Sequence, residues 1–383
     1  MSNPSVREPR VTPSIPVLGF AFLLTGMGTA FLGPLLPVLA HRWALADARS
    51  GLLPAAQFLG IFIGSITVSS RLQRSFIAGS IAAALGFAGF ASPFGWAPSC
   101  LALLVGCWGL GQVMTTTNLI LGARFTARRG AILSSFNFIW GLGAILSPLM
   151  IGWLLPFVAL PRLLLGFAAL FGLVVLALAF EPSAPVLLSS QPTHASFRVP
   201  ATVFAFFAAC FVLYGGFEAS MNVWITTYMV RYGGNSLFIG QTAATLFWIS
   251  LTMSRGIASL LLLKMRERTL QRAAIVALAV DLIALMLAHG AAAIAICTVL
   301  IGICASALFP IICSQMMNWS PGSRQAGTMM AVSSLGNAAW PWLIGVTSQY
   351  AGSLRIAFGL PLLAVLSLIV LFSRTPIPQP VAE

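Results

Sequence analysis

The sequence predicts an all-α polytopic membrane protein of twelve transmembrane helices in two six-helix bundles. Three observations carry that prediction. Of 383 residues, 59% are hydrophobic and only 7% charged, whereas a soluble domain carries about a quarter charged residues. Mean hydropathy is +0.97, which is more apolar surface than an aqueous fold of this size can bury. The apolar residues also fall in runs of about 20, the helix length that crosses a hydrocarbon core.

Residues 1–14 are polar and Pro-containing, with Arg7 and Arg10, and form a cytoplasmic tail. The first apolar run continues from Ile15 to Ala40. It is too long for a signal-peptide core and has no clear cleavage site, so it is a retained first span. The following runs are 50–70, 75–95, 97–123, 131–156 and 160–180, which complete an N-terminal bundle over 15–180. A Pro- and Ser-rich stretch, 181–199, reads as a cytoplasmic linker. Runs at 200–230, 237–263, 273–289, 291–317, 326–350 and 353–373 form a C-terminal bundle over 200–373. Residues 374–383 are a second cytoplasmic tail.

Basic residues set the orientation. With the N-terminus inside, the inner segments hold Arg7, Arg10, Arg71, Arg74, Arg124, Arg128, Arg129, Arg198, Lys264, Arg266, Arg268, Arg272, Arg324 and Arg374. The outer loops hold only Arg42, Arg49, Arg162, Arg231 and Arg355. Both termini are therefore expected in the cytoplasm, and the protein is expected in a membrane of the bacterial inner (plasma) type. The net charge of +13 is scattered over short loops with no basic face, so it argues for anionic lipid and against nucleic acid.

The two halves look related. Residues 142–152 read LGAILSPLMIG and residues 335–345 read LGNAAWPWLIG. Both sit in the fifth span of their half, and parallel six-span repeats are a transporter signature. The six cysteines form no CxxC pair and have no His nearby, so they read as packing residues, with no metal site and no cofactor.

Four stretches resemble the major facilitator superfamily and, within it, the fucose-permease-like sugar transporters. They are GTAFLGPLLPVLAHRW followed by SGLLPAAQFLGIFIGS, RRGAILSSFNFIWGLGAILSPL, FVLYGGFEASMNVWITTYM, and ALFPIICSQ followed by LGNAAWPWLIG. The resemblance covers most of the chain in order. It implies alternating access between two bundles, a sugar as substrate, and a glutamate in a GxE-like context as a coupling group. The usual loop 2–3 motif is degenerate: Gly64 is present, but Val68 stands at the acidic position, with Arg71 and Arg74 keeping the basic character.

Ionisable groups inside a membrane are costly and therefore candidates for function. Among the seven acidic residues only Glu218 and Asp281 fall within predicted spans. Tyr214, Glu218 and Asn222 are spaced i, i+4, i+8 and share one helix face. A carboxylate there can exchange a proton as its solvation changes, so Glu218 is the expected proton-coupling residue; the alternative is a protonated acid that locks helix packing. Arg255 and Asp281 lie at similar depth on adjacent spans, and an intramembrane charge pair would make both tolerable. Arg255 also belongs to a polar stripe with Gln241, Thr245, Trp248 and Thr252 and can face the cavity instead. Amide and indole groups suit hydroxyls and sugar rings. The expected substrate-binding set is therefore Gln57, Gln112, Asn118, Asn137, Trp140, Tyr214, Asn222, Trp248, Gln315, Asn337 and Trp340, each of which can instead serve interhelical bonding.

These residues point to a monomeric, proton-coupled importer of a small polar solute such as a sugar, with the lipid bilayer and protons as partners. An exporter of lipophilic or cationic compounds would want a more apolar cavity. A receptor derived from a transporter would look the same in sequence. A membrane enzyme would cluster His, Asp or Cys near one face, and no such cluster is visible.

Overall fold

The computed structural model describes residues 13–92, 94–125, 128–180, 199–234, 236–262, 264–319, 325, 328–329 and 331–375. Almost all of the expected tails and linker therefore lie outside the described residues. Span 1 is Ile15–Ala30 with Leu32–Arg42, and span 2 is Asp47–Ser50 with Leu52–Ile66. Spans 3 to 6 are Leu72–Phe90, Trp96–Arg124, Arg129–Leu154 and Leu160–Ala179. Spans 7 to 9 are Ala201–Gly233, Leu237–Leu262 and Glu267–Leu287. Span 10 is Ala291–Ser306 with Leu308–Met317, span 11 includes Ser333–Ala351, and span 12 is Leu354–Ala357 with Gly359–Ser373.

Among the described residues ten of these are long and apolar enough to cross a membrane, counting the bent first pair as one. The other two, Leu72–Phe90 and Ser333–Ala351, have 19 residues each but carry Gln73 and Arg74, or Ser, Asn and Gln residues, that lower their hydropathy. Large apolar side chains such as Leu85, Leu101, Leu173 and Leu287 are exposed on the outer surface of the bundles. In water that exposure would be costly; against lipid it is the ordinary state.

Proline accounts for the breaks. Span 1 bends by 46° at Phe31, because Pro34 has no N–H to give the Ala30 carbonyl. Span 10 breaks at Ala307 for the same reason, with Pro310 leaving Ser306 without its helical donor. Pro148 and Pro341 stay inside continuous helices. The indole of Trp224 donates to the Pro341 carbonyl at 2.8 Å.

The halves pack alike. In the first, span 1 lies on span 5, span 2 on span 4, and span 3 on spans 4 and 6. In the second, span 7 lies on span 11, span 8 on span 10, and span 9 on spans 10 and 12. The repeated glycines have matching duties. A Cβ on Gly143 would strike the Leu23 carbonyl of span 1, and a Cβ on Gly336 the Val212 carbonyl of span 7. Gly152 and Gly345, the last residues of the repeat, instead face the opposite half, at Gln241 and at the Asp47 carbonyl. Gly95 and Gly290 open spans 4 and 10 with φ of 87° and 80°, a backbone region that L side chains disfavour. A duplicated unit explains these coincidences.

Spans 5 and 8, 2 and 11, and 1 and 7 join the halves. Hydrogen bonds across the seam concentrate at one end, here termed the Asp47 end. Arg231 of span 7 donates to both Asp47 oxygens, at 2.7 and 2.5 Å. Ser348 of span 11 donates to Asp47 at 2.6 Å, and the Ala48 amide donates to Gln349 at 3.2 Å. At the opposite end, which carries the first and last described residues, Ser134, Ser135, Asn137 and Phe138 of span 5 are exposed.

Candidate functional site

The site grows from one face of span 7. Tyr214, Glu218 and Asn222 stack on successive turns, as their spacing requires. The Tyr214 hydroxyl donates to the Ala305 carbonyl at 3.2 Å, at the break in span 10. Glu218 is half-buried, and its Oε2 lies 3.7 Å from Nη2 of Arg255 on span 8. Among the described residues this is one of two ion pairs; the other is Asp47 with Arg231.

The expected Arg255–Asp281 pair is not formed. Asp281 on span 9 instead accepts from the Cys304 thiol of span 10 at 3.3 Å. Depth along the helix is only one coordinate of a side chain; the direction in which it points is another. Span 8 packs on spans 7 and 10 and barely touches span 9, so Arg255 points toward span 7 while Asp281 turns into the seam between spans 9 and 10.

Asn222 ties the halves together. Its amide donates to the Thr29 carbonyl of span 1 at 3.2 Å, and its oxygen accepts from the Trp248 indole at 3.0 Å. Gln57 of span 2 donates to the same Thr29 carbonyl at 2.9 Å and to Gly28 at 3.1 Å. The Trp248 ring meets Trp140 of span 5 edge to face, with centroids 5.5 Å apart, a favoured aromatic geometry. One polar and aromatic chain therefore runs from span 2 through spans 1, 7 and 8 to span 5.

Asn337 and Trp340 of span 11 flank this chain on its other side. Asn337 donates to the Gly215 and Ser333 carbonyls at 2.9 and 3.1 Å. The Trp340 ring packs over Gly216, where a Cβ would meet it at 2.9 Å. Asn137 lies one turn before Trp140 on span 5 and is exposed, and Asn118 is half-buried on span 4.

Two expected binding residues sit elsewhere. Gln112 is buried and donates to the Thr67 hydroxyl at 3.0 Å, which also accepts from Trp108 at 3.0 Å. That cluster ties span 4 to the end of span 2. Gln315 exchanges hydrogen bonds with Gln271 of span 9 at 2.8 and 3.3 Å, beside the Ser314–Glu267 bond of 2.8 Å. Both clusters knit helices within one half.

Sequence reasoning missed the Asp47 end. Asp47 and Arg231 are 184 residues apart and each reads as an ordinary loop charge. The available signal was that Asp47 is one of only seven acids.

No family model matches the chain, and no curated protein matches it by sequence. Solved structures do match in fold. FucP, described as a major facilitator superfamily transporter in the outward conformation, is 18% identical over 95% of this chain and 99% of its own, with a TM-score of 0.63. A bacterial homologue of the human lysosomal transporter Spinster, inward-facing and occupied, is 14% identical over 95% and 98%, with a TM-score of 0.76. XylE, the xylose transporter of E. coli, in a partially occluded inward-open conformation, is 13% identical over 95% and 98%, with a TM-score of 0.74. The overlap extends over 95% of this chain with TM-scores of 0.63 to 0.76, and this chain has the major facilitator fold.

Proposed function

We propose that this protein is a secondary transporter that moves a small polar solute, such as a sugar, together with a proton by alternating access. The bundles 15–180 and 200–373 are the rocking units and 181–199 is the linker between them. Glu218 carries the proton. The observation that carries this reading is a half-buried acid at mid-span, 3.7 Å from a guanidinium, beside the polar chain that joins the two halves. A carboxylate placed there changes its proton affinity as water and solute come and go.

The basic-residue bias supports cytoplasmic termini. The Asp47 end then faces outward, and its closure supports an inward-facing state. The chain also overlaps better with the solved structures described as inward-facing than with outward FucP, although FucP is the more similar in sequence. To reach the outward state the protein must break Asp47 from Arg231 and Ser348 and part Asn222 from Thr29. Proton and solute bind better together than apart, and that coupling is reciprocal.

The test uses purified protein in proteoliposomes with a panel of sugars and related solutes. Solute addition should acidify the compartment that receives it. In Glu218→Gln, exchange of labelled for unlabelled solute should persist while uphill accumulation under a pH gradient is lost. Uphill uptake by that variant overturns the assignment.

A further inference from the structure

We propose that the solute carries a single negative charge: the site takes a small polyhydroxy monocarboxylate, held at Arg255. This rests on the transport reading above and narrows its substrate class. The first observation is the quality of the Glu218–Arg255 pair. At 3.7 Å it is an ion pair without a hydrogen bond, whereas a committed Arg–carboxylate pair is bidentate and near 2.8 Å. The Asp47–Arg231 pair in the same molecule has that committed geometry.

The second observation is a group of donors without protein acceptors. Arg255 Nε, Thr252 Oγ1 and Trp140 Nε1 are buried and have no hydrogen-bond partner. Thr252 is 5% exposed and lies one turn from Arg255 on span 8. It packs against Gly141 of span 5, the residue after Trp140. Buried donors in native proteins are nearly always paired. Two of these three sit one turn apart on span 8 and the third on the adjoining stretch of span 5, and two uncharged donors beside a cation suit an oxygen-rich anion. A planar guanidinium fork matches a carboxylate in particular.

Charge balance gives the coupling. With Glu218 ionised, the pair is neutral. With Glu218 protonated, Arg255 stands as an uncompensated cation within the membrane, which is costly. A monocarboxylate restores neutrality; a dianion would overshoot it. The other titratable groups near this pair are Tyr214 on the same helix and Cys313 on span 10. Spans 1, 11 and 12 bring no titratable side chain to this depth among the described residues. Proton and anion therefore bind together, and their joint movement transfers no net charge.

The experiment compares D-gluconate and D-glucuronate with D-glucose and sorbitol. The carboxylates stay ionised above about pH 5. Thermal stabilisation of the purified protein reads affinity, and proteoliposome exchange reads transport. Gluconate or glucuronate should bind at least tenfold tighter than the neutral partners, and tighter still as pH falls from 7.5 to 5.5. Arg255→Gln should lose that preference. Glu218→Gln should bind the carboxylate at the low-pH affinity at every pH, an effect that mere structural damage would not give. The proposal is overturned if neither carboxylate stabilises the protein, if the neutral compounds bind as well, or if Arg255→Gln keeps the preference. Proton-coupled exchange of glucose or sorbitol alone would overturn the anion site and leave the transport reading standing. Failure of every probe in exchange counts against both.

Discussion

The two ion pairs among the described residues are built to opposite specifications. Asp47 accepts two bonds from Arg231 and one from Ser348, so its charge is fully answered and it joins the two halves. Glu218 and Arg255 belong to the same half, lie 3.7 Å apart and make no mutual hydrogen bond. A tight pair across the seam holds the two halves together at that end. A loose pair beside unpaired donors can be exchanged for another partner. The contrast teaches that a charge in a membrane protein must be judged by how completely it is satisfied, since burial alone puts both pairs in one category.

Breaking the loose pair should have the largest effect. Glu218→Gln is expected to abolish accumulation, a loss of roughly a hundredfold under a gradient of about two pH units, since each unit is worth about tenfold. The measurement is the accumulation ratio in proteoliposomes. Breaking the tight pair should instead shift conformation. Asp47→Asn or Arg231→Gln is expected to favour opening of the Asp47 end by about 1–2 kcal/mol, or roughly 5–30-fold. Spin labels at positions 45 and 353 would report longer distances there, and unchanged distances would remove Asp47 from the gate.

Smaller changes sharpen the comparison. Trp248→Phe keeps the ring against Trp140 but removes the donor to Asn222, at a cost of about 1 kcal/mol; solute affinity should fall several-fold with coupling intact. Asp281→Asn should change the accumulation ratio by no more than about twofold, because its partner is a thiol outside the seam between the halves. Loss of coupling in that variant would show that Glu218 is not the only acid involved.

Some of the fold and site is readable from the chain. Gly143 of LGAILSPLMIG and Gly336 of LGNAAWPWLIG mark the close contacts of spans 5 and 11 with spans 1 and 7, because only a missing Cβ permits that approach. Tyr214, Glu218 and Asn222 share a face because helical geometry leaves no choice. Gln112 and Gln315 look equally suited to bind solute, yet they bond to Thr67 and Gln271. An amide reads the same in sequence whether its partner is a ligand or a neighbouring helix. The partner of Arg255 is not legible either, because spacing gives depth along a helix and says nothing of which neighbour the helix faces.

By itself the sequence determined the features that local chemistry and the solvent dictate: a helical chain in lipid, the runs that span it, the duplicated halves, and the one acid on a polar face of span 7. Tertiary structure alone decided which charges meet. Asp47 finds Arg231 and Ser348, and Arg255 finds Glu218, because helix rotation and bundle docking bring together residues far apart in sequence, and no local rule records that rotation.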